Sequence, residues 1–176
     1  TAQWTAKTTN ITLVLHNDGG QGPSSHTATY DQKVATIQAP ASRPASVTTV
    51  AWRAGWTFQG YYTATEGAGS KLINADGTVV SAAVDGWLKT GGIWAWDGTV
   101  GSSQSTNSVD LHAHWTRNTY TLNYTMDMGI SLVKITGSLN DGDKTSNGSV
   151  TVTFGQKVTV VATASVGFDI SNFAGG

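Results

Sequence analysis

The sequence predicts a mainly β fold, α+β at most and with little helix, built as two small β domains in tandem. Three observations predict it. Short Thr- and Val-rich runs are punctuated by Gly-Gly, Asp-Gly and Asn-Gly, the pattern of strands joined by tight turns. Helix formers are scarce, and Glu66 is the only glutamate in 176 residues. In Gly55-Trp56-Thr57-Phe58-Gln59-Gly60-Tyr61-Tyr62-Thr63 large aromatics recur at alternate places, so Trp56, Phe58 and Tyr62 are expected on one face of a sheet. Each such ring can bury about 150 to 250 Å². A glycine inside the run marks a bulge or a close backbone approach.

Composition bounds the rest. At 39% hydrophobic the chain can build a core, which excludes a disordered polypeptide. Charged residues make up 12% and the net charge is -1, so neither a nucleic acid nor an anionic membrane surface is indicated as a partner. No run of about 18 apolar residues occurs, so no membrane insertion and no signal peptide are expected within these residues. Cysteine is absent, which removes disulfides, thiolate zinc sites and cysteine nucleophiles together. This suits an extracellular bacterial setting.

The elements follow in order. Ala2-Gln3-Trp4-Thr5 reappears 111 residues later as Ala113-His114-Trp115-Thr116. Each copy precedes a threonine-bearing strand, Ile11-Thr12-Leu13 in one case and Tyr120-Thr121-Leu122 in the other. Residues 1–9 are therefore expected to be the tail of a preceding repeat or a linker, residues 10–116 one unit, and residues 117–176 a second. Ile11, Leu13 and Leu15 alternate with Thr12, Val14 and His16 up to a turn at Asn17-Asp18-Gly19-Gly20. A second strand is expected over about 26–37, with a bend at Asp31-Gln32, before Pro40 and Pro44 break pairing. A short extra strand is expected at 47–52, and Asn74-Ala75-Asp76-Gly77-Thr78 is a tight turn into Val79-Val80. Residues 81–107 form a long irregular insertion. Leu111, Ala113 and Trp115 share one face of the closing strand, making Trp115 the expected partner of Trp56 and Phe58. In the second unit, strands are expected at 120–124, 130–135, 150–154 and 158–162, with a polar loop at 138–148.

The ordered blocks Asn17-Asp18-Gly19-Gly20, Tyr30-Asp31-Gln32-Lys33-Val34, Gly55 to Thr63, Asn74 to Thr78 and Leu111-His112-Ala113-His114-Trp115 resemble the Listeria-Bacteroides repeat, the internalin B-type B repeat. The resemblance covers about residues 10–116. It implies a small β-grasp, ubiquitin-like domain repeated along bacterial surface and secreted proteins. Tyr61 stands where the family usually has tryptophan, and the segments before Gly55 and before Asp110 are longer than usual. Gly167-Phe168-Asp169-Ile170-Ser171-Asn172-Phe173-Ala174-Gly175 resembles the same block in a divergent repeat, with Phe173 in place of tryptophan. Family members continue with another strand after that glycine, so the second domain is expected either to end short or to take its last strand from elsewhere.

Four residue sets bear on chemistry. His112 and His114 lie two apart on a strand, a spacing that metal sites use, yet they oppose the core-facing residues and are expected as solvated surface histidines. Asn140-Asp141-Gly142-Asp143 with Ser146-Asn147-Gly148 supplies oxygen ligands for calcium but lacks the spacing of a dedicated calcium loop, so a hairpin connection is the expected reading. No Gly-x-Ser-x-Gly elbow, phosphate-binding loop or dinucleotide fingerprint occurs. Two carboxylates such as Glu66 and Asp97 have no spacing that recommends a glycosidase. The chain is accordingly expected to be no enzyme and to need no cofactor. Trp87, Trp94 and Trp96, with Asp97 beside them, are the candidate ligand-binding residues, because indole faces stack on sugar rings while carboxylates take the hydroxyls. The competing expectation is that these rings anchor the insertion, with Trp94 or Trp96 packed inside. The expected role is an adhesin stalk, spacer or protein-interaction unit facing a host or bacterial surface protein and neighbouring repeats. The alternative is a carbohydrate-binding module facing a glycan.

Overall fold

The computed structural model describes residues 2–3, 9–41, 55–96 and 107–170. It is mainly β, and the described residues contain no α-helix. The chain divides into two compact units, Thr1–Thr116 and Arg117–Gly176.

In the first unit the strands are β1 (Asn10–His16), β2 (Ser25–Thr29), β3 (Trp56–Tyr62), β4 (Lys71–Asn74), β5 (Leu88–Lys89), β6 (Ile93–Trp94) and β7 (Ser108–Arg117). Five of them form one sheet in the order β2-β1-β7-β3-β4. β1 pairs antiparallel with β2 and parallel with β7, and β3 pairs antiparallel with β4. The period-2 pattern explains β1 and β7. Ile11, Leu13, Val109 and Leu111 are each 0% exposed, while Thr12, His16 and Asp110 on the opposite face are exposed. The turn after β1 closes as expected, Gly20 N donating to Asn17 O over 2.9 Å. At Gly20 an added Cβ would lie 2.3 Å from the Trp115 ring, so only glycine lets that indole close down on the turn.

The sheet residues share their core with Val34, Ile37, Leu88 and Trp94, which come from irregular chain and the two-stranded β5–β6 ribbon. Phe58 packs on Trp115 with ring centroids 5.3 Å apart, and Trp56 is half-buried against the same cluster.

The aromatic block departs from strict alternation. Phe58 and Tyr61 are buried, whereas Tyr62 turns outward and meets His114 edge-on at 5.7 Å. The register shifts between Tyr61 and Tyr62. Gly60, at φ 130, allows it, since a Cβ there would stand 2.2 Å from the Ile73 carbonyl oxygen. The expected grouping of Tyr62 with Trp56 and Phe58 is thus corrected, and Tyr61 takes its place. Its hydroxyl donates to Asn17 Oδ1. Burial, and then the negative charge of Asp18, push the Tyr61 hydroxyl well above the usual tyrosine range.

One further boundary differs. The strand expected over 26–37 stops at Thr29, because Asp31 adopts φ 58 and turns the chain away. The segment then continues with isolated bonds, Ile37 N to Gly77 O among them. The turn at 74–78 forms as expected, with Thr78 N bonded to Asp76 Oδ1 over 2.9 Å. The strand expected at 47–52, Trp4, Asp97 and Phe173 lie outside the described residues.

The second unit contains β8 (Thr119–Tyr124), β9 (Ile130–Thr136), β10 (Gly142–Lys144), β11 (Gly148–Thr153) and β12 (Thr159–Ala164). They form a three-stranded sheet, β10-β9-β12, and a two-stranded one, β11-β8. β10 falls inside the stretch expected to be a plain polar loop. Its pairing with β9, Gly142 opposite Ile135 to Lys144 opposite Val133, makes it a strand without an apolar pattern of its own. The core is small: Val133, Ile135 and Val150 are buried, with partly buried residues around them.

Candidate functional site

The insertion is held by its backbone before its side chains act. Asp31 N donates to Trp94 O and Trp94 N to Gln32 O, each over 2.9 Å, and Lys33 bridges Ile93. This hangs β6 on the chain that follows β2. Trp94 is in consequence 1% exposed, and its Nε1 is buried without a hydrogen-bond partner among the described residues. Trp87 and Trp96 are half-buried, at 6.1 and 6.0 Å between the centroids of the Trp87–Trp94 and Trp87–Trp96 pairs. The planes are tilted by 59° and 46°, so the three rings pack as a cluster and present no flat row. Asp97, the fourth candidate, cannot be placed beside them, being outside the described residues. Trp94 and Trp96 do not share a strand face, since β6 ends at Trp94.

A different set of residues forms a cleft. A cavity of ≈ 510 Å³ is lined by Trp56, Ala113, His114 and Trp115, with Asp18, Thr65 and Glu66 at its polar side. Asp18 comes from the turn after β1, Thr65 and Glu66 from a single 3-10 turn after β3 (Thr65–Gly67), and the others from the start of β3 and the end of β7. The two carboxylate residues both have left-handed backbone, φ 48 at Asp18 and φ 56 at Glu66. That conformation costs a non-glycine residue on the order of 1 kcal/mol and collects at functional positions. Trp115 is fixed in place by donating from Nε1 to Asn17 O over 3.0 Å. A half-buried indole beside carboxylates, a hydroxyl and an imidazole can hold a sugar ring or a similar polyhydroxylated ligand. Sequence reasoning assigned Trp56 and Trp115 to packing and Asp18 to a turn. The signal it lacked was the pairing of β7 with both β1 and β3, which brings positions 18, 56, 66 and 114 together.

The histidines occupy two faces. His16 stacks on His112 with centroids 4.7 Å apart, and its Nε2 lies 2.8 Å from Asp110 Oδ1. His114 follows on the same outer face, where its ring lies over Gly67. His26 sits opposite Leu13 on the core side and does not join them. Among the described residues no group of three His, Asp or Glu is placed to hold a metal ion. In the second unit, Asp141 turns its carboxylate onto its own loop, accepting from Gly137 N, Ser138 N and Ser138 Oγ over 3.1, 2.6 and 2.9 Å. These bonds hold its carboxyl below the usual carboxylate range. Asn140 Oδ1 is likewise engaged by Thr151 N. Asn147 Oδ1 accepts from Met126 N over 2.6 Å, so three of the residues that suggested calcium spend side-chain oxygens on the protein's own donors.

No family model, no curated protein and no solved structure matches this chain. No helix among the described residues is long and apolar enough to cross a membrane.

Proposed function

We propose that the chain is a non-catalytic extracellular repeat module of a bacterial surface or secreted protein. It serves as an adhesin stalk or spacer, or as an interaction unit for a surface protein and for neighbouring repeats. The observation that carries this reading is the parallel pairing of β1 with β7, from Thr12 opposite Ser108 to His16 opposite His112. Because adjacent parallel strands point the same way, the chain enters the first unit at one end of the sheet and leaves at the other. Tension applied between those two ends shears the β1–β7 ladder, straining its hydrogen bonds together rather than one after another. The sheet order, with a parallel pair at its centre, is also that of a β-grasp domain and supports the resemblance to the Listeria-Bacteroides repeat.

Force spectroscopy on the full chain tests the stalk reading. Lacking cysteine, the chain accepts defined attachment pairs. Pulling through Asn10→Cys with Arg117→Cys shears the ladder, whereas Asn10→Cys with Ser108→Cys peels it from one end. The shear pair should rupture at clearly higher force. Equal forces would remove the basis of the proposal.

The glycan-binding alternative is favoured by one observation, the indole-lined cleft at Trp56. The packed cluster of Trp87, Trp94 and Trp96 offers it less. Titration with mucin and polysaccharide fragments separates the sites, because an emission shift abolished by Trp56→Ala and Glu66→Gln, but kept in Trp87→Ala, assigns binding to the cleft.

A further inference from the structure

The two units open with strands of the same design, and only one of those strands is fully covered. In the first unit β1 lies between β2 and β7, and Ile11 and Leu13 are 0% exposed. Their counterparts in β8 are Tyr120 and Leu122, which are 50% and 37% exposed. Nothing about β8 itself turns these residues outward. Directly opposite them in the antiparallel ladder stand Val152 and Val150, whose side chains point to the same side, and Val150 is 2% exposed in the core. Tyr120 and Leu122 are therefore core-facing residues on a strand with one neighbour among the described strands.

The hydrogen bonding says which edge of β8 is open. Phe154 N donates to Asn118 O over 2.9 Å, extending the register in which Thr119 faces Thr153. In an antiparallel ladder the backbone groups alternate in direction, so those of Tyr120, Leu122 and Tyr124 point at β11. Those of Thr119, Thr121 and Asn123 point to the opposite edge, along which no described strand pairs.

We propose that this edge of β8 is a docking edge for an added strand laid parallel to it, as β7 lies beside β1. The occupant is an extended segment with the alternation of β7, whose apolar Val109, Leu111, Ala113 and Trp115 are separated by polar residues. Within the first unit, Val109 stands beside Leu13, the counterpart of Leu122, and Leu111 beside Leu15, the counterpart of Tyr124, so β7 covers the core edge that is open at Leu122. Main-chain bonds to Thr119, Thr121 and Asn123 supply affinity, and the alternating apolar residues set which face turns inward.

The test uses the full chain and a synthetic peptide with the Ser108–Arg117 sequence, read by residue-resolved amide exchange. The peptide should slow the Thr119, Thr121 and Asn123 amides at least about tenfold and leave the amides that already face β11 unchanged. The same peptide N-methylated at the adjacent residues Leu111 and His112 is blocked on both edges and should protect nothing, a control that does not depend on any variant folding. Thr121→Pro removes one outward donor while sparing the β11 ladder, and should abolish protection at Thr119 and Asn123. A spin label at the peptide's N-terminus should broaden Thr119 more than Asn123. Unchanged exchange at all three amides, or the reverse broadening gradient, overturns the proposal. Protection that grows with protein concentration and needs no peptide also overturns it, making a second copy of the chain the occupant.

Discussion

Replacing Trp94 by alanine separates an anchoring insertion from a binding platform. The side chain is 1% exposed. Burying about 250 Å² at about 25 cal/mol per Å² sets an upper limit near 6 kcal/mol. The buried Nε1 lacks a partner among the described residues, which takes back about 1 to 3 kcal/mol. Trp94→Ala should therefore cost about 3 to 5 kcal/mol. In a domain of this size that lowers the midpoint of thermal unfolding by on the order of 15 °C. Trp94→Phe sheds the unpaired N–H along with part of the ring, so its cost should stay below about 2 kcal/mol. Urea unfolding followed by tryptophan emission is a clean assay, because all 7 tryptophans precede residue 117 and report the first unit alone. A loss under about 1 kcal/mol in Trp94→Ala would refute the anchoring argument. So would a glycan-induced emission shift that Trp94→Ala abolishes without changing stability.

Other consequences can be measured with the same unfolding assay. Gly60→Ala should cost about 2 to 3 kcal/mol, since the new Cβ meets the Ile73 carbonyl and the backbone is left-handed; a neutral result would mean that no bulge forms there. Gly20→Ala should lower stability and shift tryptophan emission to the red by displacing Trp115 from the turn. Tyr61 gives a pH signature. Its hydroxyl stays protonated to higher pH in the folded chain than in the unfolded one, so its contribution is fully present below pH about 10 and falls as pH rises further. Urea midpoints should decline on the alkaline side, and Tyr61→Phe should flatten that decline. Glu66→Gln should leave stability within about 0.5 kcal/mol, because the side chain is exposed.

Local periodicity carried the parts of the fold that depend on local periodicity. Ile11, Leu13 and Leu15 in β1 and Leu111, Ala113 and Trp115 in β7 lie where alternation places them. The turns at 17–20 and 74–78 follow from their Asn, Asp and Gly content. What the sequence hid was set by partners far along the chain. The bulge after Gly60 depends on where the Ile73 carbonyl arrives, so alternation alone named Tyr62 instead of Tyr61. β10 is a strand only because β9 pairs with it. Spacing named Trp94 or Trp96 as the packed ring without choosing between them, and the backbone bonds with Asp31 and Gln32 fix Trp94 deep inside. The cleft joins residues from four places in the chain, and their order in the sequence does not show that they face one cavity.

The β1–β7 pairing also fixes when the first unit can fold. Trp115 reaches the Asn17 carbonyl across 98 residues of chain, and the strand between β1 and β3 is the last of the sheet to be synthesised. Closing so long a loop precedes any reward from the central ladder, so folding should be slow and should wait for β7. A polypeptide emerging from its N-terminus then remains an open chain with an exposed hairpin until its last strand appears. Until then the unit has no central ladder and offers little resistance to being drawn out as an extended chain.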